Sequence, residues 1–93
     1  MKSLAELKRA IKVGTVLETV AHSRPVMIGT TRVVEKAQTN CFASRMDGVK
    51  DLTWTNYPPA KDVTFAGPDT FTFNWPEAGH FATLRIVEAV PHV

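Results

Sequence analysis

Thr70-Phe71-Thr72-Phe73-Asn74-Trp75 is the stretch that decides the fold. Three aromatic side chains alternate with three polar ones. Successive residues of a strand point to opposite faces, so this spacing buries Phe71, Phe73 and Trp75 on one side and leaves Thr70, Thr72 and Asn74 toward solvent. A helix would scatter the same aromatics around its circumference. The pattern therefore predicts a half-buried strand, which in turn requires a core to lie on.

The neighbouring segments repeat the theme. Gly67-Pro68-Asp69 turns the chain into this strand from Asp62-Val63-Thr64-Phe65. Pro76-Glu77-Ala78-Gly79 leads out of it to a last strand, Phe81 to Val90, with Pro91-His92-Val93 as a frayed end. Upstream, Tyr57-Pro58-Pro59-Ala60-Lys61 cannot be central strand, because its prolines remove backbone donors; a tight or 3₁₀ turn is expected. Cys41 to Arg45 and Val49 to Thr55 flank Met46-Asp47-Gly48, a hairpin signal. A three-residue loop with Gly48 left-handed would place Phe42, Leu52 and Trp54 on one face. Val26 to Ala37 reads as a long strand bent near Gly29, and Thr15 to His22, rich in β-branched residues, as the first strand.

Only the opening differs. Ser3 followed by Glu6 is a capping box, Leu4, Leu7 and Ile11 form one apolar stripe, Lys8, Arg9 and Lys12 suit the negative end of the dipole, and Gly14 is a natural stop. The spacing predicts a helix over residues 4–12, too short to persist without docking. Strands joined by short turns pair antiparallel, and five or six of them leave exposed edges unless the sheet closes. The expected architecture is mainly β (α+β): one domain over residues 1–93, with residues 15–90 forming a small SH3-like antiparallel five- to six-stranded barrel or strongly curled sheet. The short N-terminal helix plugs one end.

Composition narrows the function classes. Ninety-three residues, 44% hydrophobic and 22% charged, suit one globular core rather than a disordered chain. Eleven Lys and Arg against nine Asp and Glu give a net charge of +2, a marginal excess for a dedicated nucleic-acid binder. Cys41 is the only cysteine, so no internal disulfide forms. The opening residues lack a signal-peptide apolar run, and no apolar stretch is long enough to span a membrane. A cytoplasmic protein is expected.

No group of residues reads as a catalytic or metal centre. Cys41 has no activating neighbour in sequence and reads as structural. His22 and His80 fall near strand ends and could meet in space, but a convincing third metal ligand is missing. Asp47 and Asp69 read as turn formers, and Glu18 and Glu35 as solvent-facing strand positions. No enzyme, cofactor or metal is expected. What remains is a set of aromatic and basic residues, which read first as core plus solvated face, then as a partner surface, and last as stacking platforms for single-stranded bases.

Two resemblances bear on this set. Trp54-Thr55-Asn56-Tyr57-Pro58 resembles the Asn-Tyr element preceding the last strand of SH3 domains, although that family's acidic loop is missing and proline-peptide binding is not implied. Ser3-Leu4-Ala5-Glu6-Leu7-Lys8-Arg9, Ile11-Lys12-Val13-Gly14-Thr15, Gly29-Thr30-Thr31-Arg32-Val33-Val34, Gln38-Thr39-Asn40, and Trp54 with Pro59-Ala60 resemble small bacteriophage or prophage proteins of unknown function. That resemblance implies a mobile-element origin and a bacterial host cytoplasm. It supplies no catalytic residue.

The expected function is that of a non-enzymatic accessory protein, a monomer or homodimer, acting by contact with a protein partner through Tyr57, Trp54, Arg45 and Lys61. Tyr57 is expected to be the most exposed. The alternative is a nucleic-acid-binding module using Lys8, Arg9, Lys12, Arg32 and Lys36. No contact with a membrane is expected.

Overall fold

A computed structural model describes residues 2–87. The far end of the expected last strand, residues 88–90, and the expected frayed end, residues 91–93, lie outside the described residues.

The chain opens with helix α1, Leu4–Ala10, where the Ser3 side chain accepts a hydrogen bond from the Glu6 backbone N–H at 3.2 Å. The helix stops earlier than the glycine signal predicts. Thr15 captures its end: the hydroxyl accepts from the Lys12 N–H at 3.0 Å and donates to the Ala10 carbonyl at 3.4 Å. Gly14, with φ of +95°, then serves the turn into the sheet. Leu7 and Ile11 are buried and Leu4 packs against the core, so the docked stripe holds a helix that has too few turns to survive alone.

Among the described residues seven strands follow: β1 Val16–His22, β2 Thr31–Ala37, β3 Cys41–Met46, β4 Leu52–Asn56, β5 Val63–Phe65, β6 Thr70–Trp75 and β7 His80–Val87. They form one antiparallel sheet in the order β4-β3-β2-β1-β7-β6-β5. The mainly β architecture with one short helix stands; the closed barrel of five or six strands does not. Closure would require β4 to pair with β5. The link between them carries Pro58 and Pro59, which have no amide to donate, and β5 offers only three residues. The break in the ring falls at that link.

The open sheet is nevertheless strongly curled. Residues from β4 and from β6, separated by four intervening strands, line the same cleft. Bulges between Thr19 and Ala21 in β1 and between Val34 and Lys36 in β2 add to the bending. The concave face carries the core of Leu17, Val34, Phe42, Val63, Phe71, Phe73 and Leu84, sealed at one end by Leu7 and Ile11. Phe71 and Phe73 are fully buried and Trp75 packs beside them, as the alternation predicts.

The β3–β4 hairpin corrects one register. Ala43 lies opposite Trp54 and Phe42 opposite Thr55, so Phe42 and Trp54 point to opposite faces. The closing pair is Arg45 with Leu52, which encloses six residues rather than three, and this change from an odd to an even count shifts the parity of every β4 side chain. Gly48 is left-handed, with φ of +80°.

Candidate functional site

The four residues expected to form one partner surface divide between two environments. Tyr57 is a half-buried wedge in the gap between the sheet edges, not an exposed loop residue. Its ring lies 5.5 Å from Phe42 and 5.8 Å from Phe73, and Lys8 Nζ stands 5.3 Å from its centroid. Burial, with a smaller contribution from Cys41, pushes the Tyr57 hydroxyl up to about 12. Because Tyr57 is the only tyrosine, this is directly measurable. Phenolate absorbance should rise with a midpoint near 12 in the folded protein and near the ordinary 10 in urea. The folded state holds the proton longer, so stability should fall as pH rises from 10 through 12. A folded-state midpoint near 10 would refute the wedge.

Trp54 and Arg45 are brought together on the convex face. Trp54 is 48% exposed, and Lys36 Nζ lies 5.9 Å from its ring. Arg45 holds Glu35 through two hydrogen bonds, the shorter at 2.6 Å, and this pairing lowers the Glu35 pKa and raises that of Arg45. Exposed Val33 and Val49 line a hollow beside the same pair. Lys61 is elsewhere, in the 3₁₀ turn Ala60–Asp62, beside a separate hollow with Asn74 and Phe81.

The five residues of the nucleic-acid reading do not make one stripe. Lys8 covers Tyr57, and Arg9 and Lys12 are exposed at the helix end. The β2 bulge turns Lys36 onto the convex face, whereas Arg32, paired with Leu17 and Met46, points into the concave one.

The concave face therefore holds a feature the sequence did not single out. Opposite α1, the curled sheet opens into a cleft of about 650 Å³. Arg32, His22, His80, Trp75 and Thr53 are among its walls, and among the described residues none that lines it is acidic. His22 and His80 do meet, with ring centroids 4.8 Å apart, and Trp75 stacks on His80 at 5.2 Å. Both imidazoles are oriented through Nδ1: His22 accepts from the Arg24 N–H at 2.9 Å, and His80 is hydrogen-bonded to the Ser23 hydroxyl. Burial, then the charges of His80, Arg32 and Arg24, lower the His22 pKa. No family model, curated protein or solved structure matches the chain.

Among the described residues no three His, Cys, Asp or Glu side chains gather closely enough to hold a metal ion. No helix among them is long and apolar enough to cross a membrane. Cys41 is half-buried with its thiol 3.3 Å from Gln38 Oε1. The Arg32 signal was readable in principle: Val34 is inward, so a residue two positions earlier on the same strand shares its face. The adjacent Val33-Val34 pair hid which of the two was inward.

Proposed function

We propose that this chain is a non-enzymatic binding protein whose partner is another protein, engaged through the convex face at the β3–β4 edge of the sheet. The observation that carries this reading is Trp54: a large aromatic, half exposed, on a strand that among the described residues lies at the edge of the sheet. An edge strand presents free backbone donors and acceptors to an incoming extended segment, and a tryptophan beside it supplies the side-chain anchor typical of binding hot spots. Lys36 beside the ring favours a partner segment with an acidic residue next to its apolar one. Tyr57 and Lys61 leave the proposed surface; Trp54 and Arg45 remain. In keeping with the resemblance to small phage proteins, the partner is sought among bacterial host proteins.

Capture from a bacterial lysate by tagged wild-type protein, Trp54→Ala and Val26→Ala tests this. Val26 is 82% exposed in the Pro25–Met27 turn and serves as a control for lost apolar surface. The expected outcome is a discrete protein retained by wild type and Val26→Ala and lost with Trp54→Ala, whose circular dichroism stays native. Equal retention by Trp54→Ala would refute the surface.

A further inference from the structure

The concave cleft opens on the other face of the sheet from that convex surface, although Trp54 also borders it, and its chemistry is specific. The Arg32 guanidinium points inward from the middle of the sheet, and its Nε is buried without a hydrogen-bond partner among the described residues. A buried donor with no acceptor is costly, more so when it carries charge, and native structures rarely tolerate it without a reason. A second orphan lies next to it. Ser44 is fully buried on the same inward row, opposite Val34 and Thr53, and its hydroxyl also lacks a partner among the described residues. The Glu35 and Glu18 carboxylates that could neutralise an arginine are paired with Arg45 and Arg85 instead.

We propose that the open end of the curled sheet binds a small organic oxyanion, a carboxylate or phosphate ester carried on a compact apolar body. Arg32 is the anchoring cation. Its planar fork offers paired N–H donors that match a carboxylate or phosphate, which a lysine could not reproduce. His22 and His80, with Nδ1 already engaged, keep Nε2 without a partner among the described residues and supply further donors at the rim. Phe73, Trp75, Ala82 and Leu84 form the apolar wall for the remainder of the ligand. A cleft of about 650 Å³ falls within the range of sites for small molecules, roughly 300–1,000 Å³. Desolvation lowers the Arg32 pKa, as expected for a partly buried cation with no carboxylate beside it among the described residues.

The test is a titration followed by amide resonances, using benzoate and phenyl phosphate as anionic probes and benzyl alcohol as the neutral one. Benzoate, phenyl phosphate or both should give saturable shifts at Thr19, Arg32, Thr53 and His80 at millimolar concentrations, and the stronger of the two identifies the head group. Benzyl alcohol should give none. Arg32→Met should weaken anion binding by about tenfold or more. Because it removes an unpaired buried charge, it should also raise the melting temperature. An Arg32→Met protein that melts lower than wild type, binds benzoate and phenyl phosphate equally well, or a wild type that prefers benzyl alcohol, would overturn the assignment. Should Arg32→Met fail to express, wild type showing no saturable shift with either anion would still overturn it.

Discussion

Phe73→Ala is expected to destabilise the protein by about 3–5 kcal/mol, the cost of deleting a large buried aromatic and leaving a cavity. Phe73 is fully buried and sits at the crossing of three ring contacts: Phe71 at 5.0 Å, Tyr57 at 5.8 Å and Trp75 at 5.8 Å. It therefore joins the middle of β6 to the wedge that spans the open gap and to the wall of the cleft. Collapse around the cavity would have to move several elements at once, which argues for the upper part of the range. Domains of this size are stable by roughly 5–15 kcal/mol in total, so the loss removes a large fraction of the whole. Urea unfolding followed by circular dichroism should show a much lower midpoint with an unchanged slope. The partly exposed Phe81, replaced by alanine, should cost under about 1 kcal/mol, because the site stays wet in the folded state. A Phe73→Ala midpoint close to that of Phe81→Ala would contradict the packing described above.

The second large effect concerns the helix. Leu7→Ala should cost about 2–5 kcal/mol and undock α1 before the sheet melts. Leu7 is fully buried in the core cluster, and among the described apolar residues Ile11 and the partly buried Leu4 share the task of holding the helix down, with Lys8 reaching over Tyr57 at its flank. A seven-residue helix has no stability of its own to fall back on, whatever the quality of its Ser3 cap. Native-state hydrogen exchange separates this from a general loss of stability. In Leu7→Ala the amides of Leu7 and Ile11, bonded to Ser3 and Leu7 carbonyls, should lose protection out of proportion to those of β1 and β7. Uniform loss across helix and sheet would mean that α1 is an integral part of the core rather than a docked plug.

Much of this fold was legible because a strand's period of two is hard to counterfeit. Each strand-like run of the sequence contains a strand, although the head of the expected Val26–Ala37 strand is the 3₁₀ turn Pro25–Met27 and β2 begins only at Thr31; the helix carries its Ser3 cap, and the aromatic alternation of residues 71, 73 and 75 lands on the concave face. What was not legible depended on counts between elements rather than within them. The β3–β4 loop is longer than its glycine signal implies, and that alone moves Trp54 from the core face to the outside. Closure of the sheet depended on whether β4 could reach β5, which no local pattern reports. The cleft needed two bulges and the curl of the whole sheet to bring Arg32 from β2 toward His80 from β7 and Thr53 from β4. Tyr57 looked like a loop residue because prolines follow it. Those prolines instead fix the course of the chain across the gap and turn the ring inward.

The strand order has a consequence for how the molecule assembles. Starting at β5 and walking across the sheet, the neighbours are β6, β7, β1, β2, β3 and β4, so the ribbon would be a plain zigzag if the chain started after the prolines. As written, the midline of the sheet is the contact between its earliest and latest strands, with Val16 opposite Val87. Two half-ribbons can zip locally, but they become one only through a meeting of distant parts of the polypeptide, the slowest kind of encounter in folding. Until that meeting each half bears a raw flank that the finished protein hides at its centre, and this interval is when the nascent chain is most open to pairing with the wrong molecule.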